Sequence, residues 1–365
     1  MANDSLLLVG TYTQPMGFVS GAPGKGIHAF RFDAATGKLT PLGVTEGIEN
    51  PSFLAVDPSG AFVYCANELH DYEGRATGAV SSFRLDRASG ELSFLNRQDS
   101  HGTDPCHVMA DPSGRTLVVA NYSSGSVASY PVAADGSLGK AACVIQHSGS
   151  SVNTARQAGP HAHEARIDPA GRFVYVPELG MDKVMIYALD ALASQLTANP
   201  AQATLDATPG AGPRHIVLHP NGRNAYVINE LNSTITACAW DPASGTLGAL
   251  QSLSTLPAGF SGESTCAEVQ IAPSGRFVYG SNRGDDSIAI FALDPESGRM
   301  TPVGHQKSGG RTPRHFTFTP DGGFVLAAHQ DSGNIVVFRA DAESGGLTPT
   351  GEVAEVGAPV CLLFP

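Results

Sequence analysis

At 365 residues the chain can bury an ample core, and its 42 Gly and 25 Pro are spread among plentiful aliphatic residues, so the bias signals frequent turns and excludes a disordered polypeptide. A formal charge of −12 and a pI near 5.4 exclude nonspecific affinity for nucleic acid or an anionic membrane surface. The opening MANDSLLLVGTYT lacks a basic segment and its apolar run is only Leu6 to Val9, while no stretch approaches transmembrane length; the expectation is a soluble, cytoplasmic protein.

From the N-terminus, Leu6 to Thr11, Gly26 to Asp33 and Lys38 to Val44 read as three strands, separated by a Gly-rich interruption at Gln14 to Lys25. A hairpin motif then repeats, an apolar strand, a Pro/Gly turn and a second apolar strand: FLAVDPSGAFVYCANE, HVMADPSGRTLVVANY, EARIDPAGRFVYVPEL, IVLHPNGRNAYVINEL, EVQIAPSGRFVYGSNR and FTFTPDGGFVLAAHQ. The residues before the turn, Asp57, Asp111, Asp168, His219, Ala272 and Thr319, recur every 47 to 57 residues. Each hairpin is followed by a third strand (AVSSFRLD, SVASYPV, KVMIYALD, TITACAWD, SIAIFALD, NIVVFRAD). A DxxSG-type turn and a weaker fourth strand usually come next, as at Asp86 to Glu91 and Asp294 to Arg299. The one helix-like stretch is short, about Asp190 to Ala198, and a second long interruption spans His147 to Pro160.

Four strands per fifty-residue repeat with no convincing amphipathic helix predict a β-propeller, all-β, of four-stranded antiparallel blades. The six complete hairpins leave the N-terminal strands one short, and Val360 to Phe364 supplies the missing first strand. Residues 1–365 are therefore read as a single seven-bladed domain, its ring closed by pairing N- and C-terminal strands. The six cysteines (65, 106, 143, 238, 266, 361) lack CxxC spacing and fall in apolar strand patterns, so they are expected to be reduced core residues.

In an antiparallel hairpin the start of the first strand and the end of the second share an edge. Five positions before each anchor stand Ser52, Cys106, His163, Arg214, Ala267 and Arg314; four before stand Phe53, His107, Glu164, His215, Glu268 and His315; the second strands end on Glu68, Tyr122, Glu178, Glu230, Arg283 and Gln330. The turns are repetitive while this rim is polar and varied, the pattern that an asymmetric small-molecule site needs. Arg214, Arg283 and Arg314 with several histidines suit a carboxylate or phosphate ligand. The alternative is that each Arg pairs with Glu164, Glu178, Glu230 or Glu268 and only joins neighbouring sheets.

Within Gly159-Pro-His-Ala-His-Glu164, the spacing of His161 and His163 offers no third zinc ligand, so no metal and no cofactor is expected; His163 suits acid/base work and His161 a loop hydrogen bond. His219, in a turn at the other edge, is structural, and Trp240 is packing. No GxSxG elbow or phosphate loop with a following helix is present.

The segments GPRHIVLHPNGRNAYVINELNSTI, PHAHEARIDPAGRFVYVPELGMDKV, APSGRFVYGSNRGDDSIAIF and TPRHFTFTPDGGFVLAAHQDSGNIVVF resemble the seven-bladed propeller lactonases. That family holds bacterial propeller-type 6-phosphogluconolactonases and fungal 3-carboxy-cis,cis-muconate cyclases. The resemblance spans essentially the whole chain and implies a site of one His, two Arg and one Glu, which by motif are His163, Arg214, Glu230 and Arg283. His161, His215, Glu268, Arg314 and His315 are the candidate substrate-binding residues around them. One departure is the third hairpin, which ends Pro177-Glu178-Leu179, one residue shorter than its neighbours.

The expectation is a cofactor-independent hydrolase opening the lactone of an acidic sugar, 6-phosphogluconolactone first. The alternatives are a carboxymuconate-type cycloisomerase and a non-catalytic propeller that binds a peptide or protein. The partner is a small anionic substrate; the oligomeric state is not encoded in any feature of the sequence.

Overall fold

The computed structural model describes residues 4–365, so the first three residues of the stretch read for a leader lie outside it. The described residues form seven antiparallel sheets, and the fold is an all-β, seven-bladed propeller. The strand Asp4–Thr11 lies between Gly26–Asp33 and the C-terminal strand Pro359–Leu363, with Leu8 opposite Leu363 and Val9 opposite Leu362, the shared sheet expected of the two ends. No helix is long and apolar enough to cross a membrane.

Two compact units are distinguished by their internal contacts. The first, Met1–Ile48, Val217–Ala239 and Ala249–Pro365, contains the terminal sheet and the sheets that start at Thr265–Ile271 and Pro313–Phe318. Its core includes Leu7, Phe32, Phe324 and Val337, all almost wholly buried. The second, Glu49–Ile216 and Trp240–Gly248, contains the sheets that start at Pro51–Val56, Pro105–Ala110 and Arg166–Ile167. Its buried residues include Tyr64, Val119, Tyr130, Val174 and Val176. The seventh sheet, Pro213–Leu218, Asn224–Asn229, Thr234–Asp241 and Thr246–Ser254, supplies residues to both units.

Local chemistry explains the repeat. In the first hairpin turn one oxygen of Asp57 accepts the N–H groups of Ala61 and Phe62 and the other accepts that of Ser59. Gly60, Gly114, Gly171, Gly222, Gly275 and Gly322 occupy the same place in the six turns with φ from 67° to 74°, a conformation in which a Cβ is strained. The tyrosine in the third position of the second strands reaches out of its own sheet: Tyr226 Oη donates to the Gly298 carbonyl at 2.9 Å and Tyr279 Oη, in FVY, to that of Gly345 at 2.7 Å. Trp240 is packing, as read, with Nε1 donating to Tyr175 Oη at 2.8 Å. All six cysteines are free thiols, and burial pushes those of Cys65, Cys238 and Cys266 up to about 12, so they stay protonated.

Three local expectations are corrected. Asp190 to Ala198 is not helical: Asp190 Oδ1 accepts the N–H of Leu192 and Ala193, closing a turn, and Gln195–Ala198 then pairs back as a strand. The first strand of the third hairpin shrinks to Arg166–Ile167; just before it the Ala165 N–H goes to His107 Nδ1, and the Ile167 N–H, on the strand's other edge, to Met109 Sδ. Thr204–Asp206 adds a fifth strand to that sheet, where four were expected, and Glu178 in it is fully buried.

Candidate active site

In the second unit the positions before the turns bring together a wall of rings. Phe53 lies 4.2 Å from His107 and 6.2 Å from His215 between ring centres, while His215 is 5.8 Å from His107 and 5.1 Å from His163. Tyr122, at the end of its strand, meets both candidates of the PHAH segment: it stacks on His161 at 4.6 Å and presents an edge-to-face contact to His163 at 5.4 Å. His161 is held by its Nδ1 donating to the Tyr122 carbonyl at 3.0 Å, the loop hydrogen bond anticipated for it. His163 is buried, with Nδ1 3.8 Å from Cys106 Sγ.

Arg214 is buried beside this wall, 3% exposed, and donates from Nη1 to His215 Nε2 at 3.3 Å. A guanidinium only donates, so His215 carries its proton on Nδ1 and is neutral in this arrangement. Glu164, fully buried, is occupied structurally: Oε1 accepts from Arg166 Nε and Nη2 at 2.9 and 2.6 Å, and Oε2 from the Ile216 N–H at 2.5 Å. The Arg166 partner tethers the carboxylate beside the Arg214-bearing strand, since its Nε also donates to the Ile216 carbonyl.

In the first unit the candidates form pairs. Glu230 Oε2 lies 2.8 Å from Arg283 Nη2, which also donates to the Cys266 carbonyl at 2.7 Å. Glu268 Oε2 is 3.5 Å from His315 Nε2. Arg314 lies 5.5 Å from the ring centres of both Tyr12 and Phe18 and donates to Gln330 Oε1 at 3.2 Å. The sheet-joining alternative accounts for the contact of Arg283 with Glu230.

Arg156 escaped the sequence reading. It rides on the Gly/Ser-rich interruption before the PHAH segment and donates from Nη2 to Tyr122 Oη at 3.1 Å, which brings another guanidinium to the His161–Tyr122–His163 wall. Among the described residues no group of three or more His, Cys, Asp or Glu is arranged to hold a metal ion. Chemically, the second unit's wall offers an imidazole for proton transfer, an aromatic and imidazole lining, and buried positive charge for an anion or a developing oxyanion.

The family described as "Lactonase, 7-bladed beta-propeller" matches residues 6–364. The chain is 34% identical over 311 residues to the 6-phosphogluconolactonase of Bacillus subtilis, covering 85% of this chain and 84% of that one. It is 33% identical over 303 residues to the 6-phosphogluconolactonase of Formosa agariphila, covering 82% and 84%. Among solved structures, the periplasmic gluconolactonase of Pseudomonas aeruginosa superposes with a TM-score of 0.90 at 35% identity over 100% of both chains.

Proposed function

Because the chain belongs to the family of seven-bladed β-propeller lactonases, we propose that it opens the ring of an acidic sugar lactone by hydrolysis, with 6-phosphogluconolactone the leading substrate. The observation that carries the reading is the meeting of His163, neutral His215 and buried Arg214 in one wall. In this reading His163 takes a proton from the attacking water, and Arg214, already screened from solvent, donates to the oxygen that becomes negative as the carbonyl turns tetrahedral. The water's oxygen bonds to the carbonyl carbon, the ring C–O bond breaks, and the departing alkoxide takes up the proton; no oxidant or reductant is needed.

Glu230 and Arg283 remain participants in the proposal. An incoming anion competes with Glu230 for Arg283, and a displaced Glu230 carboxylate becomes available to accept a proton. Arg156 beside Tyr122 supports a phosphorylated or otherwise anionic sugar over a neutral one. A cytoplasmic location belongs to the same proposal. Fractionation of producing cells checks it, since the gluconolactonase matched in structure is described as periplasmic.

The test is a panel of aldonolactones, phosphorylated and not, with proton release followed against the spontaneous rate. A carboxymuconate run in parallel reads out the cycloisomerase. The reading predicts fastest turnover on phosphorylated δ-lactones, and it fails if no lactone opens faster than in buffer.

A further inference from the structure

One turn of 3-10 helix, Leu179–Met181, follows the strand Phe173–Glu178, and a buried carboxylate stands at each end of it, Glu178 before and Asp182 after. Glu178 Oε1 accepts the backbone N–H of His161, and its Oε2 lies 2.5 Å from His147 Nδ1; His147 Nε2 in turn lies 2.8 Å from Tyr187 Oη. Asp182 Oδ1 accepts the N–H of Gly212 at 2.7 Å, while Oδ2 accepts that of Gly210 at 2.6 Å and the Ser151 hydroxyl at 2.5 Å. His161 is two residues before His163, and Gly212 is two residues before Arg214. The turn therefore grips, from its two ends, the backbone just upstream of both side chains assigned to the chemistry.

The approach is close enough to dictate sequence. A Cβ at Gly180 would lie against the Gly159 carbonyl oxygen and 2.9 Å from the His161 nitrogen, so only glycine lets the turn press on the PHAH segment. Gln157, wholly buried, adds a bond from Nε2 to the Leu179 carbonyl at 2.8 Å, tying down the same loop. At position 182 a carboxylate rather than an amide is needed, because each of its oxygens accepts a backbone N–H and an amide nitrogen there would confront one of them.

We propose that Glu178 and Asp182 are paired positioning residues, Glu178 setting His163 and Asp182 setting Arg214 through the backbone two residues upstream of each. The inference rests on the lactonase reading for the roles of His163 and Arg214, and on geometry alone for the restraint. Misplacing a working group by about 1 Å costs on the order of a hundredfold in rate, so the restraint is a catalytic asset.

The experiment compares Asp182→Asn, Arg214→Ala and their double variant on the best lactone of the panel, with hydrogen exchange measured across residues 207–215. Asp182→Asn is expected to lower kcat about ten- to a hundredfold with KM within roughly threefold, and the double variant to be no slower than Arg214→Ala alone. Exchange at Gly210 and Gly212 should quicken while the remaining sheets keep their protection. Rate losses that multiply in the double variant, or unchanged exchange at 210–212, overturn the proposal. Ser151→Ala, which removes one donor and keeps the carboxylate, covers the case in which Asp182→Asn does not fold: a smaller fall in kcat that vanishes in the Arg214→Ala background supports the proposal, and one that persists there overturns it. If Arg214→Ala turns over lactone at the native rate, the lactonase assignment of Arg214 fails, and the exchange measurement still decides whether Asp182 holds that segment.

Discussion

His107 Nε2 lies 3.6 Å from Glu164 Oε1 while its Nδ1 accepts the Ala165 N–H at 3.4 Å. The accepting Nδ1 places the proton on Nε2, facing the carboxylate. The first unit repeats the device: His315 Nδ1 accepts the Leu362 N–H at 3.3 Å and Nε2 faces Glu268 at 3.5 Å. Both histidines stand four positions before a turn anchor, and each joins its own strand to backbone beyond its sheet, at Ala165 and Leu362. His107→Leu and His315→Leu should each destabilise by about 1–3 kcal/mol, the cost of leaving a buried N–H and a carboxylate under-satisfied, measured by urea unfolding with an unchanged m value.

Removal of the working groups should be felt in kcat. Arg214→Ala is expected to lower lactone turnover by on the order of a hundred- to a thousandfold with folding intact, as for loss of a donor to an oxyanion. Arg214→Lys should recover only part of it, because an ammonium lacks the guanidinium fork. His163→Ala should lower the rate by about a hundredfold or more and flatten the neutral limb of the pH–rate profile. Steady-state kinetics with circular dichroism as the folding control checks both, and native rates in both variants would remove the assigned roles.

Arg156 should discriminate between substrates. Replacing it with Gln is expected to raise KM for a phosphorylated lactone roughly tenfold, the equivalent of one charge-assisted hydrogen bond, while leaving KM for the unphosphorylated lactone within about twofold. Equal losses on both substrates would show that Arg156 supports the wall through Tyr122 and does not read the anion.

His329 makes stability depend on pH. Burial pushes its imidazole down to about 4, against smaller opposing effects from the Asn334 carbonyl and Asp286. Between about 4 and 6.5 the unfolded chain then binds more protons than the folded one, so this group's contribution is complete above 6.5 and is lost as pH falls toward 4. At about 1.4 kcal/mol per unit the loss approaches ~3 kcal/mol. His329→Leu should therefore show a smaller drop in melting temperature between pH 7 and pH 5 than the native protein in differential scanning calorimetry.

Ending the chain at Ala358 removes Val360, Cys361 and Leu362, each at most 3% exposed, from beside Asp4–Thr11. Burial of apolar side chains at about 1.5–3 kcal/mol each predicts a loss near 5 kcal/mol and a fall in melting temperature of more than about 10 °C.

Much of this architecture could be read before any coordinates, because its determinants are local and repeat. The Asp57-type turns, the glycine that follows and the FVY strands recur at nearly constant spacing, and the last strand was found by asking what the first sheet lacked. Residue choice at the rim was legible for the same reason: variation stands out against a constant frame. Partnerships were not, since His107 meets Glu164 and Glu268 meets His315 through the packing of separate strands. The hold of Glu178 and Asp182 on their neighbours was not legible, because they act on backbone N–H groups, which leave no mark on the sequence of the segments they hold. The helix-like stretch Asp190 to Ala198 forms instead a turn closed by the Asp190 side chain, a local bond that overrides the stretch's helical pattern.

Joining both ends of the polypeptide in one sheet also has a consequence for biosynthesis. The strand Asp4–Thr11 leaves the ribosome long before its neighbour Pro359–Leu363 is made. At roughly 5–20 residues per second the nascent N-terminal strand waits on the order of a minute or less with one edge unpaired. Edge-blocking chaperones, or a circularly permuted gene that encodes Pro359–Leu363 immediately before Asp4–Thr11, would shorten that exposure and raise the yield of folded protein during expression.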